Sequence, residues 1–129
     1  MTMTIINDKY GFRFRDWDIY KDARTLRTEL WEIMNSYPKE EKFSLIDQTR
    51  RALDSIILNI AEGANKNSDK ETRLYVNRAH GSLDEVVACL DCAFDEKYIS
   101  KETHEKILEK ASSLAKRLRK FGSYLFKSP

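Results

Sequence analysis

The chain has 129 residues, of which 41% are apolar and 34% charged, with only four glycines and two prolines. This composition suits one domain with a real core, excludes a disordered chain and disfavours an all-β fold. The net charge of +2 predicts no general affinity for nucleic acid, so any basic surface must be local. Two cysteines, no signal-like segment and no apolar run of about 20 residues predict a protein of the reducing cytoplasm without a membrane span.

The first residues, 1–12, lack helical periodicity and are expected to form a flexible segment ahead of a single domain at 13–129. A first helix is predicted from about Asp16 to Ser36. It ends before Pro38, whose ring disfavours a helical conformation in the preceding residue. Its apolar positions recur every three or four residues and so share one face: Ile19, Ala23, Leu26, Leu30, Ile33 and Tyr37.

Three more amphipathic helices follow with the same spacing. The second begins after Ser44, which with Asp47 is placed like a helix cap and its partner, and the third begins at a capping box of Ser68 and Glu71. The fourth begins after Ser100. The apolar stripe of the second helix is Ile46, Thr49, Leu53, Ile56 and Ile60. That of the third helix is Tyr75, Ala79, Ser82, Val86, Leu90 and Ala93. That of the fourth helix is Ile107, Ala111, Leu114, Leu118, Phe121 and Leu125. Four long helices with short polar links predict an all-α fold, an antiparallel (up-down-up-down) four-helix bundle.

The link between the second and third helices has the sequence GANKNSDK, which could be mistaken for a phosphate-binding loop. Such a loop needs a preceding strand, two spaced glycines and a terminal Lys-Ser/Thr pair, whereas this link has one glycine and follows a helix. Gly63 is instead expected to end the second helix in a left-handed conformation. The link is therefore interpreted as a corner between two helices.

Polar residues accompany this corner on both helices. Two interpretations are open for them, a solvated face and a partly buried hydrogen-bonded network. Small residues such as Ala52 within the polar stripe favour a close approach of the helices, and hence the network. The predicted members of this structural network are Gln48, Ser55, Asn59, Glu62, Arg73, Ser82 and Glu85.

A resemblance to a known family rests on the middle of the chain. The matching motifs are Tyr37-Pro38-Lys39-Glu40-Glu41, Arg50-Arg51-Ala52, Asn59-Ile60-Ala61-Glu62-Gly63 and Gly81-Ser82-Leu83. Most of the chain thereby resembles the bacterial four-helix-bundle family encoded in intervening sequences of 23S rRNA genes, also labelled the S23 ribosomal protein family. The resemblance implies a ring-like homopentamer whose molecular role is not established. A more distant resemblance, to the accessory protein of diversity-generating retroelements, implies the alternative of a partner for a reverse transcriptase and nucleic acid.

Reactive residue types form no recognisable catalytic or metal-binding pattern. Cys89 and Cys92 spell C-x-x-C inside a helix without a second cysteine pair, and His80 and His104 fall on different predicted helices, so the four ligands of a zinc site are not assembled. A di-metal bundle would need two Glu-x-x-His pairs. No enzyme activity, metal or cofactor is therefore predicted. The cysteines are interpreted as small core or interface residues.

Local positive charge is the remaining signal for function. The run KRLRK at residues 116–120 contains no acidic residue, and two interpretations apply to it. The macrodipole of a helix favours cations near its end. Alternatively the run binds nucleic-acid phosphates, and repetition of the patch around a ring would strengthen weak contacts. The nucleic-acid hypothesis, for RNA or DNA, assigns the contacts to Lys116, Arg117, Arg119, Lys120 and Lys127.

Surplus apolar residues predict self-association. Beyond its core stripe the first helix has a second apolar set, whereas a four-helix bundle needs only one buried stripe per helix. The predicted oligomer interface consists of Trp17, Tyr20, Trp31 and Met34. The leading hypothesis is thus a non-enzymatic oligomer, a homopentamer by the resemblance, with weak RNA binding.

Overall fold

The structure, a computed structural model, describes residues 6–126 and contains four α-helices and no β-strand within that range. The helices are α1 (Asp18–Met34), α2 (Leu45–Gly63), α3 (Asp69–Asp95) and α4 (Lys101–Phe126), with short 3-10 turns at Arg13–Asp16 and Lys39–Glu41. The prediction of an all-α chain with four helices is confirmed. In the same range, every helix is too short or too polar to cross a lipid bilayer.

The predicted flexible segment, residues 1–12, begins outside the described range. Within the range, the Asp8 carboxylate accepts hydrogen bonds from the backbone amides of Tyr10 at 3.1 Å and Phe12 at 3.0 Å. It also pairs with Arg15 at 3.2 Å. These contacts fold the chain into a turn just ahead of α1.

Two serines at helix starts behave differently. The Ser68 hydroxyl accepts a hydrogen bond from the Glu71 amide at 3.2 Å, so the predicted cap of α3 is present. Ser44 precedes α2, but its hydroxyl donates to the Glu41 side chain and caps no amide of the helix. The predicted cap with Asp47 is therefore wrong, because the turn before α2 brings a carboxylate within reach and a charged acceptor competes well for the hydroxyl.

The end of α3 is closed by backbone hydrogen bonds. Lys97 adopts the left-handed conformation, with a φ of 64°. Its amide donates to the Phe94 carbonyl, and the Tyr98 amide donates to the Ala93 carbonyl, both at 2.9 Å. This pair of bonds is the Schellman motif, which satisfies the last carbonyls of the helix and turns the chain toward α4.

Side-chain contacts show that neighbouring helices run antiparallel. Between α1 and α4, Asp22 pairs with Arg117 and Glu29 pairs with Lys110, so the numbers rise on one helix as they fall on the other. The contacts between α1 and α2, Arg27–Asp54 and Trp31–Arg50, show the same order. So do Ser55–Ser82 and Gly63–Thr72 between α2 and α3. Between α3 and α4, the contacts His80–Arg119 and Asp91–His104 complete the set. Each helix therefore contacts the helix before and after it in a closed cycle of four.

The apolar stripes meet in one core. Its largest fully buried aliphatic side chains include Leu30, Leu53, Ile56, Ile60, Leu83, Leu90, Ile107, Leu114 and Leu118. Removing a side chain of this size from water stabilises the fold by roughly 1.5–3 kcal/mol. The core therefore accounts for the antiparallel packing of the four helices.

Two residues of the predicted oligomer interface belong to this core. Trp17 is 7% exposed and Met34 is 4% exposed. Met34 lies one helical turn after Leu30 and so continues the buried stripe of α1. Trp17 packs against Phe121 of α4, with ring centroids 4.7 Å apart. The interface prediction is wrong for both, since each is covered within a single chain.

Gly63 stays helical and does not adopt the predicted left-handed conformation. Its role is to let two helices approach closely, because a Cβ at Gly63 would lie 2.6 Å from the Cβ of Tyr75 on α3. The Thr72 hydroxyl donates to the Gly63 carbonyl at 2.9 Å, which satisfies a backbone acceptor at the end of α2. The corner between α2 and α3 is thus closed by contact between the helices.

Candidate nucleic-acid interface

The second half of α4 is strongly basic. Residues 111–126 include four basic side chains and no acidic one. Lys116 and Lys120 lie one turn apart, Arg119 lies beside them toward α3, and all three are exposed. Within the described part of the chain, neither lysine has an ion-pair partner. We call these three residues the basic ridge.

Arg117 differs from its neighbours because it faces α1. Its Nη1 lies 2.7 Å from Asp22 Oδ2, so its charge is opposed in the folded chain. The sequence prediction of an unopposed run is therefore wrong for Arg117, because the helix turns it away from Lys116 and Lys120. Lys127, the remaining candidate, lies outside the described residues.

The macrodipole interpretation of the basic run does not fit this helix. α4 extends to Phe126, and its last described turn contains no basic residue. The macrodipole stabilises cations mainly within the last turn of a helix, which is beyond residues 116–120. The charge of the basic ridge therefore has no explanation in the stability of α4.

An open groove runs beside the basic ridge, between the first half of α3 and the end of α4. Lys70, Arg73 and His80 line it from α3, and Arg119 and Ser123 line it from α4. Arg119 Nη1 lies 3.2 Å from His80 Nε2 across the groove. The positive surface therefore continues from α4 onto α3.

The residues of α3 that line this groove could be recognised in the sequence from their helical spacing. Lys70, Arg73, Asn77 and His80 recur every three or four residues, which places them on one face of α3. The sequence predicts that Arg73 joins the polar network toward α2, whereas in the structure it lines the groove between α3 and α4. Periodicity identifies a shared face, but which neighbouring helix that face meets depends on the packing.

Among the side chains that the structure describes, aromatic rings offer little base-stacking surface beside the basic ridge. Phe121 is half-buried against Trp17 in the core, and Tyr124 is 51% exposed. Stacking of successive bases needs several exposed rings in a row. The surface is therefore suited to contacts with phosphates rather than with bases.

The remaining residues of the predicted oligomer interface form a mixed surface on α1 and α2. Tyr20 and Trp31 are half-buried, and arginines cover them: Arg24 lies 5.6 Å from the Tyr20 ring centroid and Arg50 lies 4.2 Å from that of Trp31. Such cation–π contacts stabilise the chain modestly. Leu58 of α2 is 64% exposed on the same side of the molecule. This surface combines aromatic, aliphatic and arginine side chains.

The polar network between α2 and α3 is smaller than predicted. The Ser55 and Ser82 hydroxyls lie 2.8 Å apart, either one donating to the other. Asn59 donates to the Ser55 carbonyl at 2.8 Å and to its hydroxyl at 3.1 Å. These three residues hold the middle of the α2–α3 contact.

The acidic and amide members of the predicted network lie at the surface. Glu62 leaves 59% of its side chain exposed and lies 3.9 Å from Lys66, one turn along the chain. Gln48 and Glu85 are also exposed. The prediction is wrong for these three because the polar stripe is wider than the contact between the helices, so residues at its edge reach solvent.

The cysteines and His104 differ in their surroundings. Cys89 is buried, and burial raises the pKa of its thiol, whereas Cys92 is exposed. His104 Nε2 lies 2.8 Å from Asp91 Oδ1, and the imidazole stacks on the Phe94 ring. Among residues 6–126, no group of three or more His, Cys, Asp or Glu side chains could hold a metal ion.

The fold and this surface define a class of protein: a small four-helix protein with a basic flank formed by α3 and α4. The family model of the 23S rRNA-intervening sequence protein matches residues 15–120, which is most of the chain. The chain belongs to this family, and the family predicted from its central motifs is confirmed.

A solved structure shares the fold. It is the crystal structure of a protein of unknown function from the S23 ribosomal protein family of Bacteroides thetaiotaomicron, with 21% sequence identity and a TM-score of 0.74. The superposition covers 81% of this chain and 95% of that one. At this identity the likeness shows the fold alone. No curated protein matches the chain.

Proposed function

We propose that this protein acts by binding RNA, without catalysing a reaction, through the basic ridge of Lys116, Arg119 and Lys120. The observation that carries the proposal is the second half of α4, which has four basic side chains and no acidic one. Exposed like charges on one helix repel one another and destabilise it slightly. A polyanion that binds there removes this repulsion, so the ridge is better explained by a ligand than by folding.

The chemistry of the ridge suits the RNA backbone. Lysine and arginine neutralise phosphates and release bound counterions, so binding is strong at low salt and weakens steeply as salt is added. Few exposed rings lie beside the ridge among the described side chains, which makes readout of bases unfavourable. We therefore expect binding that tolerates many RNA sequences.

The test is a triple substitution of the ridge, Lys116→Gln, Arg119→Gln and Lys120→Gln. The affinity of the chain for a fluorescent oligouridine is measured between about 50 and 200 mM salt. Loss of three phosphate contacts should reduce the slope of log affinity against log salt by about 2, since each contact to a single strand contributes about 0.7. At the lower salt the affinity should fall by roughly 100-fold.

A matched control separates the ridge from net charge. Lys97, Lys101 and Lys106 are exposed lysines at the other end of the α3–α4 pair, and their replacement by glutamine removes the same charge. The control should retain most of the affinity and nearly all of the salt slope. Equal losses in both triple variants would contradict the assignment of RNA binding to the ridge.

We also propose that the protein is a homo-oligomer, a ring-like pentamer as the family resemblance implies. The exposed Leu58 and the half-buried Tyr20 and Trp31 support an interface on the α1–α2 side, away from the basic ridge. Repetition of the ridge around a ring would let several weak contacts act on one RNA chain. Light scattering should give about five times the chain mass of 15.2 kDa, and a monomer at micromolar concentration would contradict it.

A further inference from the structure

The turn ahead of α1 exposes two aromatic rings. Tyr10 is 66% exposed and Phe12 is 55% exposed. Phe14, the next ring along the chain, is by contrast partly buried and packs edge-on against Tyr20 of α1, with ring centroids 4.9 Å apart. Large apolar side chains that share an exposed surface commonly mark a site of interaction. Packing within the chain therefore explains Phe14 but leaves Tyr10 and Phe12 without a role.

Hydrogen bonds fix the backbone that presents the two rings. The Asp8 carboxylate, whose side chain is 8% exposed, accepts from the amides of Tyr10 and Phe12. The Asp8 carbonyl accepts from the Gly11 amide at 3.0 Å. Gly11 has a φ of 87°, a left-handed conformation that glycine adopts without strain. Because the fold already sets this turn, a ligand that binds the rings loses little affinity to ordering of the backbone.

Cations lie beside the exposed Tyr10 ring. Lys9 Nζ is 5.5 Å from the ring centroid, and the guanidinium carbon of Arg15 is 5.6 Å from it. Arg15 is paired with Asp8, whereas Lys9 forms no ion pair within the described part of the chain. The turn thus places a positive charge next to exposed aromatic faces. This is the combination with which proteins bind single strands, since rings stack on bases and cations attract the neighbouring phosphates.

The turn lies at the same end of the bundle as the basic ridge. Trp17, which follows the turn, packs against Phe121 of α4, the residue after Lys120. On the other side, Arg13 donates from its Nε to the Ala64 carbonyl, just beyond the end of α2. An RNA strand that contacts the ridge can therefore continue around the end of the bundle to the turn.

We propose that Tyr10 and Phe12 form a stacking site for unpaired RNA bases, so that the protein binds single-stranded RNA in preference to a duplex. The inference rests on the proposed RNA binding and adds to it a second site and a class of RNA. Every base has a π-face, so this stacking adds affinity without selecting a sequence. The bases of a duplex are already stacked on one another, and proteins contact such RNA through its phosphates and sugars.

The test replaces both rings, in the double variant Tyr10→Ser with Phe12→Ser, and measures the affinity for a fluorescent oligouridine. The affinity should fall by about 25-fold or more, since a base stacked on one ring contributes about 5-fold or more. Both side chains are uncharged, so the slope of log affinity against log salt should match that of the wild type. Substitution of the basic ridge changes that slope, which distinguishes the two sites. An unchanged affinity in the double variant would overturn the stacking site and leave the ridge.

Phe43 provides a matched control. It is 87% exposed, and Lys42 Nζ lies 5.4 Å from its ring centroid, which repeats the arrangement of Tyr10 and Lys9. Phe43 lies in the link between α1 and α2, at the opposite end of the bundle. Phe43→Ser should bind like the wild type, whereas Tyr10→Ser alone should lose about 5-fold or more in affinity. Equal losses in these two single variants would contradict the assignment to the turn.

Two further ligands test the role of the bases. A strand of the same length without bases offers phosphates alone, and a blunt RNA duplex offers paired bases. The double variant should bind each of them as the wild-type chain does, because neither presents a free base to the rings. If the double variant loses as much affinity for the baseless strand as for oligouridine, the substitutions act through something other than stacking, and the proposal fails.

Light scattering distinguishes the stacking site from a contact between copies of the chain. The double variant should keep the oligomeric mass of the wild type. A lower mass would assign the rings to an interface between copies and overturn the stacking site. Absence of RNA binding by the wild-type chain would overturn the proposed function and the stacking site with it.

Discussion

The two ends of the α3–α4 pair carry opposite charge. Residues 111–126 of α4 have four basic side chains and no acidic one, whereas residues 84–95 of α3 have four acidic side chains and no basic one. We call these the basic end and the acidic end. Because the helices are antiparallel, the two segments lie toward opposite ends of the pair. The net charge of +2 hides this separation, so it is a poor guide to where a polyanion can bind.

The two ends also differ in how their links are held. At the basic end, the absence of a side chain at Gly63 lets α2 pack closely against Tyr75 of α3. Arg13 also donates from its Nε to the Ala64 carbonyl at 2.9 Å. At the acidic end, the Tyr98 hydroxyl donates to Glu41 at 2.6 Å and joins the end of α3 to the turn before α2. The first link depends on shape and the second on a charged carboxylate, so different perturbations should weaken them.

The largest expected effect comes from reversing charge at matched positions of α4. Glu105 and Glu109 occupy the same outward line of the helix as Lys116 and Lys120, about three turns and 16 Å away. Lys116→Glu with Lys120→Glu should weaken oligouridine binding by roughly 100-fold or more, since two phosphate contacts become repulsive.

The opposite reversal, Glu105→Lys with Glu109→Lys, raises the net charge by the same amount. It should change the affinity by less than about threefold, because the carboxylates of α3 at the acidic end remain beside it. Fluorescence anisotropy at low salt measures both. A large gain in oligouridine affinity for Glu105→Lys with Glu109→Lys would contradict the distinction between the two ends. It would show that the net charge of the chain matters more for binding than the position of the charges on α4.

The next effect concerns the close contact at the basic end. Gly63→Ala places a Cβ 2.6 Å from the Tyr75 Cβ, so α2 and α3 must move apart, at a cost of about 1–3 kcal/mol in the free energy of unfolding. Gly81→Ala is the control, because a Cβ at that exposed position of α3 meets no described atom within 4 Å. It should stabilise the chain by about 0.5–1 kcal/mol. Urea unfolding measures both, and equal effects would contradict a role for Gly63 in close packing.

The smallest effect is a pH dependence at the acidic end. The hydrogen bond to Glu41, and then burial, raise the pKa of Tyr98 to about 12. Hydrogen bonds from Ser44 and then Tyr98 lower the pKa of Glu41 from its ordinary 4.5. The contribution of Glu41 to stability is therefore present above pH 4.5 and lost as the pH falls through its lowered pKa. That of Tyr98 is complete below pH 10.0 and lost as the pH rises through about 12.

Tyr98→Phe tests this link. Its melting temperature should lie below that of the wild type at neutral pH. The difference should shrink in acid, because protonated Glu41 no longer favours the Tyr98 hydroxyl as a charged acceptor does. Thermal melts at neutral and acidic pH give the comparison. A difference that stays constant down to pH values below the Glu41 titration would show that the carboxylate does not contribute through its charge.

Local patterns predicted the helices, and long-range packing decided the details. The 3.6-residue period identified four helices, and the Ser68 cap was readable because it involves residues three apart. The pairing of Arg117 with Asp22 joins residues 95 positions apart in the chain. Nothing in the local pattern of α4 indicates that Arg117 turns toward an acid while Arg119 turns toward His80.

The same distinction explains the errors at Met34 and Gly63. The wide apolar set of α1 predicts an outer face for Met34, but the arrangement of four helices decides which part of that set is buried. The backbone freedom of glycine predicts a left-handed end of α2 at Gly63, whereas in the structure the absence of a side chain there makes room for Tyr75 of α3. A local sequence pattern is compatible with more than one environment for a residue, and the packing of the neighbouring helices determines which environment it has.

The central claim, that RNA binds at the basic end, is tested most directly by photo-crosslinking. The full chain is mixed with an RNA containing thiouridine, irradiated and digested, and the crosslinked peptides are identified by mass spectrometry. Binding at the basic end predicts crosslinks in residues 111–126 and in the first half of α3, with few in residues 84–110. Crosslinks concentrated in residues 84–110, or spread evenly along the chain, would contradict it.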